Sequence, residues 1–263
     1  SVIVYICENE FVPMKNAIRR LLFRMLGTEG YLTLLQRGYF LLYDTGILKL
    51  SKGFAYHYYA PRLIRAGDTV IDIGANLGYY SIPFARAAGK NGKVYSVEPI
   101  PLYNKVFLKK AKRYPVIELM PYALGTEEGK ITMVENSGDG YLNTGLPHVF
   151  NADRDGDRVA GSFTFEADMK VASWLFGSLD RIDYIKCDIE GFEKVVLTDT
   201  SEIIGRHKPV VQAEIWGPNE RELTNMFRGL GYDAYKLSGK TLTENLSAPG
   251  DFIFIHPDNP RTL

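Results

Sequence analysis

The amino-acid sequence predicts an α/β protein: a seven-stranded, mostly parallel sheet with a terminal antiparallel hairpin, a β-ribbon insertion and an N-terminal helical cap. Three observations carry this expectation. From about residue 67 onward, short apolar runs alternate with stretches of helical periodicity, the order that right-handed crossovers impose on a parallel sheet. The run Thr69-Val70-Ile71-Asp72-Ile73-Gly74-Ala75-Asn76-Leu77-Gly78 reads as a buried strand that ends in a glycine-punctuated turn and opens a helix. The last two strand-like runs are joined only by a polar segment, Ser238 to Gly250, which contains Gly239 and Pro249 and pairs them antiparallel.

In order along the chain, strands are expected at 69–73, 93–98, 116–120, 183–188 and 209–215, with helices near 79–88, 102–113, 190–198 and 219–230. Strands near 232–237 and 252–256 close the sheet. Between the third and fourth strands lies an insertion, about 125–180, in which Lys130 to Glu135 and Phe163 to Val171 alternate apolar and polar residues at period two. They are expected to pair as a ribbon. Asp153, Asp155 and Asp157 suggest a calcium loop, but Gly156 is misplaced for an EF-hand and no bidentate Glu closes it, so a solvated turn is the reading.

Residues 1–60 form the cap and 61–263 the core. From Lys15 to Met25, Ile18, Leu21, Leu22 and Met25 share a helical face, with Arg19, Arg20 and Arg24 mostly off it. Such a helix can touch an anionic membrane surface peripherally; the preferred reading packs its apolar face on the core. The aromatic run that follows, including Tyr31, Tyr39, Phe40, Tyr43, Phe54, Tyr56 and Tyr58, reads as core and lid packing with some capacity for sugar stacking.

Composition narrows the partners. Thirty-one basic residues balance thirty-one acidic ones, which gives no general attraction to a phosphate backbone, so no nucleic-acid partner is expected. The only cysteines, Cys7 and Cys187, are far apart and indicate a reducing, cytoplasmic setting. No apolar run is long enough to span a bilayer and no signal peptide is apparent.

The chemistry gathers at strand ends. Asp72 lies two residues before Gly74, and Tyr79 stands where a dinucleotide fingerprint would carry a third glycine, so a pyrophosphate would be repelled. S-adenosylmethionine has no phosphate and carries an ammonium, a sulfonium and a ribose diol, which suit an acidic strand end. Glu98 ends the next strand, twenty-six residues after Asp72, and is placed to accept from the diol. Asp188 and Glu190 follow the fourth strand and Glu214 ends the fifth, two neighbouring tips. Their convergence would either raise one pKa enough to make a general base, or let Asp188 and Glu214 hold a divalent metal that acidifies a hydroxyl. Glu193 reads as a helix-dipole residue, and of the four histidines His148, in the insertion, is the one considered as a base.

The set Asp72-Ile73-Gly74-Ala75-Asn76-Leu77-Gly78, Glu98-Pro99 and Asp188-Ile189-Glu190-Gly191-Phe192-Glu193 resembles the signature of FkbM-like S-adenosylmethionine-dependent methyltransferases over about residues 60–216. The resemblance implies a class I, Rossmann-like methyltransferase fold. It implies that Asp72, Gly74, Asn76 and Gly78, with Ala75 between them, bind the methionyl part, that Glu98 binds the ribose, and that the adenine pocket lies near Tyr122 and Ala123. Asp188 falls beside the cofactor. Pro121-Tyr122 and Ser173-Trp174 depart from the family, which often shows an Asn and a Leu-Asp pair there. The implied activity is O-methylation of a hydroxyl on a sugar, glycan or natural-product acceptor. The alternatives are N-methylation on the same fold, or a non-catalytic cofactor-binding module, which the intact strand-end set argues against.

Overall fold

The structure, a computed structural model, describes residues 12–135, 140–144, 147–150, 162–189, 191–247 and 250–259. Its strands are β1 (Thr69–Ile73), β2 (Lys93–Val97), β3 (Ile117–Met120), β4 (Tyr122–Gly125), β5 (Gly129–Glu135), β6 (His148–Val149), β7 (Phe163–Val171), β8 (Tyr184–Cys187), β9 (Val210–Ala213), β10 (Asp233–Ser238), β11 (Thr241–Thr243) and β12 (Phe252–Ile255). Its helices are α1 (Val12–Asp44), α2 (Ala55–Tyr59), α3 (Ser81–Ala88), α4 (Pro101–Ala111), α5 (Ala172–Phe176), α6 (Glu193–Asp199), α7 (Ser201–His207) and α8 (Asn219–Gly229).

Strands β8 and β9 are buried along their whole length, as expected for parallel strands covered on both faces. Alternation then sorts their side chains. Ile71, Ile73, Ile185, Cys187, Val211 and Ala213 face Phe176, Leu197 and Phe227 on one side of the sheet. Val70, Tyr184, Val210 and Ile253 face Phe84 and Ala85 on the other. The parallel register pairs Ile73 with both Val97 and Cys187, and Cys187 with Ala213, so the C-terminal tips of β2, β1, β8 and β9 lie side by side. Glu98, Gly74, Asp188 and Glu214 each begin just past one of these tips.

Among the described residues the main sheet has eight strands in the order β11-β10-β12-β9-β8-β1-β2-β3, one more than the seven expected. The added strand is β11, which lies in the polar segment after residue 238 and pairs with β10 from Lys236 opposite Thr243. Three residues with two polar side chains carry no period to detect. β10 and β12 are antiparallel, as their connection required. β5 and β7 pair antiparallel from Gly129 opposite Met169 to Glu135 opposite Phe163, and β4 and β6 widen this ribbon into a four-stranded sheet in the order β4-β7-β5-β6.

The cap departs most from expectation. α1 bends at Gly27, whose φ of 64° leaves the helical region. Before the bend, Ile18, Leu21 and Met25 are 51%, 57% and 71% exposed, whereas Arg19 is buried, with its guanidinium 5.4 Å from the ring centre of Tyr141. The expected packing of that apolar face is therefore corrected for Ile18, Leu21 and Met25 and holds for Leu22 alone. The helix turns its Arg19 edge inward because Leu22 and Phe23, beside it, join Tyr31, Tyr141 and Phe163 in one cluster. After the bend, Tyr31, Leu32, Leu35, Tyr39 and Phe40 are buried. Among the described residues no helix is long and apolar enough to cross a membrane. Cys7, Asp153, Asp155 and Asp157 lie outside the described residues.

Candidate active site

The turn after β1 is built on backbone contacts. The amides of Gly74 and Ala75 donate to the carbonyl of Val97 at 3.0 and 2.9 Å. Gly74 has a φ of 82°, and a Cβ on it would fall 1.8 Å from the carbonyl oxygen of Asp188, so the turns after β1 and β8 touch through a position that only glycine fits. Asn76 follows in the left-handed region with a φ of 52°. Its amide donates to Glu98 Oε2 at 2.9 Å, and the Ile100 amide donates to Glu98 Oε1 at 2.9 Å. Two backbone donors thus aim one carboxylate. Burial pushes Glu98 up to about 7, against the pull of those two N–H groups.

Over this turn lies a cavity of about 350 Å³, within the range of small-molecule sites. Of the residues predicted from the sequence, Gly74, Ala75, Asn76, Glu98, Asp188 and Glu214 line it. Asp72, Gly78, Tyr122 and Ala123 are not among its described lining residues. Asp72 is fully buried beneath the turn, where Oδ2 accepts from the Ser81 hydroxyl and Oδ1 lies 4.0 Å from the Lys186 ammonium. Gly78 faces α4, and a Cβ there would meet the Phe107 ring at 2.4 Å. Tyr122 and Ala123 belong to β4, which the second sheet pairs with β7 at Asp168 and Met169. The wall beyond Glu98 is made instead by Ile100, Tyr103 and Met133. Tyr103 keeps a buried hydroxyl without a hydrogen-bond partner, a polar atom that a bound ligand would satisfy. Glu190 lies outside the described residues. His148, on β6, is not among the described lining residues either.

At the opposite end of the cavity the β8 and β9 tips bring together Lys186, Asp188 and Glu214. Lys186 precedes Asp188 by two positions and so shares its face of β8; its Nζ lies 3.0 Å from Asp188 Oδ2 and 4.6 Å from the ring centre of Tyr80. Burial alone would depress the ammonium, but Asp188 and Asp72 outweigh it and hold it well above the usual lysine value. Burial would likewise raise Asp188, yet the Lys186 charge and hydrogen bonds from Glu214 and Lys186 hold its carboxyl below the usual range. Glu214 goes the other way. Burial first, and the Asp188 charge second, push it up to about 8, so the two carboxyls share one proton that sits on Glu214 at neutral pH. Among the described residues there is no group of three or more His, Cys, Asp or Glu side chains able to hold a metal ion.

The cap supplies the remaining wall with Leu35, Tyr39, Phe54 and His57. The Tyr39 hydroxyl and His57 Nδ1 are 2.7 Å apart, and the imidazole stacks on Tyr80 at 4.2 Å between ring centres. Burial, and then Lys186, lower His57 to about 3, so the ring is neutral. Lys186, Tyr39 and His57 line the cavity although motif reading did not single them out as site residues. The period of β8 could have shown Lys186; for His57 the only signal is the aromatic density around it.

The methyltransferase FkbM domain family matches residues 72–234 of the chain. Among solved structures, the chain is similar to methyltransferase FkbM from Methylobacillus flagellatus KT, with 16% identity, 77% of this chain and 48% of that chain covered, and a TM-score of 0.52. It thus spans about half the length of that protein. Weaker likenesses include a putative rRNA-methylase from Clostridium thermocellum (10% identity, 76% and 92% covered, TM-score 0.43) and Aeropyrum pernix fibrillarin with natively bound S-adenosyl-L-methionine (10%, 72% and 66%, TM-score 0.42). No curated protein matches the chain.

Proposed function

The chain belongs to the FkbM family of methyltransferases, and from that premise we propose that it moves a methyl group from S-adenosylmethionine to a hydroxyl of a sugar, glycan or natural-product acceptor. The observation that carries this reading is the Asp188–Glu214 carboxyl pair, which lines the cavity across from Glu98 with the Lys186 ammonium 3.0 Å from Asp188.

The residues present fit the cofactor. Glu98 already holds one backbone N–H on each oxygen, which leaves further lone pairs for a ribose diol. Tyr103 offers an unsatisfied hydroxyl beside it. Gly74, Ala75 and Asn76 would hold the methionyl part. Asp72 acts behind them through Ser81 and Lys186, and Gly78 acts through its packing on Phe107. When bound, S-adenosylmethionine supplies an electrophilic methyl on a sulfonium whose charge disappears on transfer.

The chain's own groups do the rest. An alcohol is a poor nucleophile until its proton has a destination, and ionised Glu214 is that destination. Its high pKa makes it the more basic of the two carboxylates, and Lys186 keeps the charge on Asp188 fixed beside it. Tyr39, Phe54 and Tyr80 exclude water from that end. A small-molecule or glycan acceptor, with no nucleic acid involved, agrees with the zero net charge.

The test is transfer from labelled S-adenosylmethionine to fractionated glycan and small-molecule extracts, with calorimetry of S-adenosylhomocysteine in parallel. Glu214→Gln is expected to abolish transfer and spare S-adenosylhomocysteine binding. Full transfer by Glu214→Gln, or no binding by the intact protein at high micromolar concentration, overturns the reading.

A further inference from the structure

Trp216 is 67% exposed although it stands two residues past Glu214. Its neighbour Ile215 is buried and anchors the segment, so the indole is held outward. A second, smaller cleft of about 60 Å³ is formed by Trp216 and Ile215 with Gly191, Glu193, Glu214 and Asn219. Glu214 lines both this cleft and the main cavity, so the cleft is an outside approach to that carboxyl.

We infer that the cleft is the acceptor subsite, that a neutral pyranose ring stacks on Trp216, and that one of its ring hydroxyls thereby reaches Glu214. This deepens the methyl-transfer reading above and rests on it.

The chemistry of the cleft selects the ligand class. It has one aromatic face, and its other side chains are mostly polar. A saccharide matches that division, with axial C–H groups against the indole and hydroxyls toward Asn219 and Glu193. The Glu193 carboxylate is held in place by the amides of Ile189 at 2.8 Å and Gly191 at 3.0 Å, and retains lone pairs for hydroxyl donors. An extended apolar acceptor would find too little apolar wall. An anionic acceptor would meet two carboxyl groups.

The protein's second tryptophan provides a control. Trp174, on α5, is 72% exposed and borders neither cavity. In Trp174→Phe, Trp216 is the sole indole, and its emission can be followed with S-adenosylhomocysteine bound. Methyl β-D-glucopyranoside, methyl α-D-mannopyranoside and methyl β-D-galactopyranoside are the probes, with phenol and cyclohexanol for comparison. At least one glycoside is expected to shift the emission saturably at millimolar concentration, with no saturation by phenol or cyclohexanol. With the glycan fraction as acceptor, Trp216→Ala is expected to raise KM by about tenfold or more, the scale of a lost ring contact of about 1.4 kcal/mol, while kcat and S-adenosylhomocysteine affinity hold. Trp216→Phe should recover most of that loss. Unchanged KM in Trp216→Ala, or saturation by phenol or cyclohexanol with none by any glycoside, overturns the inference. Absence of S-adenosylhomocysteine binding would instead defeat the underlying reading, so the two failures are distinguishable.

Discussion

On the sheet side of the cavity, Glu98 is aimed by two backbone amides and Gly74 sits so close to the Asp188 carbonyl that no side chain fits. On the cap side, Tyr39 and His57 hold one another by a side-chain contact of 2.7 Å, and His57 rests on the Tyr80 ring. One side is fixed by main chain, the other by side chains meeting across distant parts of the sequence. Backbone-fixed geometry has few ways to relax when a residue changes; ring packing has many. The two sides should therefore fail differently, and substitutions can break or sharpen that contrast.

The largest effect is expected at Gly74. Gly74→Ala combines a strained positive φ with a direct clash against Asp188 and should cost about 2–5 kcal/mol of stability and abolish S-adenosylhomocysteine binding. Near-native binding by calorimetry would mean that the two turns can separate, and the contrast would be lost. Next comes Glu98→Ala, which should weaken the same ligand by about 1–3 kcal/mol, the worth of charge-assisted bonds to a diol.

The cap side should respond in the opposite sense. His57→Ala is expected to leave S-adenosylhomocysteine affinity within a few fold while methyl transfer falls by about tenfold or more, since its neighbours are Tyr80, Lys186 and Asp188 at the reactive end. An equal fall in both quantities would show that the cap holds the cofactor as much as the acceptor.

Acidity offers a fourth comparison. Burial first raises Glu98 to about 7, Glu214 to about 8 and Asp251 to about 6, all above their usual values, so the folded protein holds these protons more tightly than the unfolded chain does. Their contribution to stability is complete at low pH and is lost as pH rises through those folded values. The thermal midpoint should fall between pH 5 and 8, while transfer rises through about 8 as Glu214 ionises. A midpoint that stays level across the same interval would mean these carboxyls titrate normally. The smallest effect belongs to the outward stripe of α1: Leu21→Glu should change stability by no more than about 0.5 kcal/mol, as measured by chemical unfolding.

What the sequence disclosed follows the same division. The β1 turn, the Glu98 tip and the Asp188 tip were legible because each is a contiguous motif whose geometry is set by its own backbone. Asp72 belongs to that motif, but its carboxylate lies beneath the turn on Ser81 and Lys186, and spacing alone cannot distinguish the two faces of a buried strand. Burial was also inverted at α1, where Arg19 is inside and Met25 outside, because the helix answers to Tyr141, far along the chain. β4 and β11 are too short to show a period. His57 has no signal beyond the aromatic density around it; its position depends on Tyr39 from one helix and Tyr80 from the turn before another.

Tyr56, beside His57, fastens the cap to the far edge of the sheet. Its hydroxyl donates to the Asp251 carbonyl at 2.7 Å and accepts the Leu237 amide at 2.8 Å, partners 195 and 181 residues away. Contacts at such separations form late, since a long loop must close before they are rewarded. At about 5–20 residues per second, a ribosome takes about 10–40 s to travel from Tyr56 to Asp251. During that interval the cap's rings have emerged and their fastening point has not. A stalled nascent chain that stops short of β10 therefore carries this aromatic segment without its clasp, ready for a chaperone or for another chain.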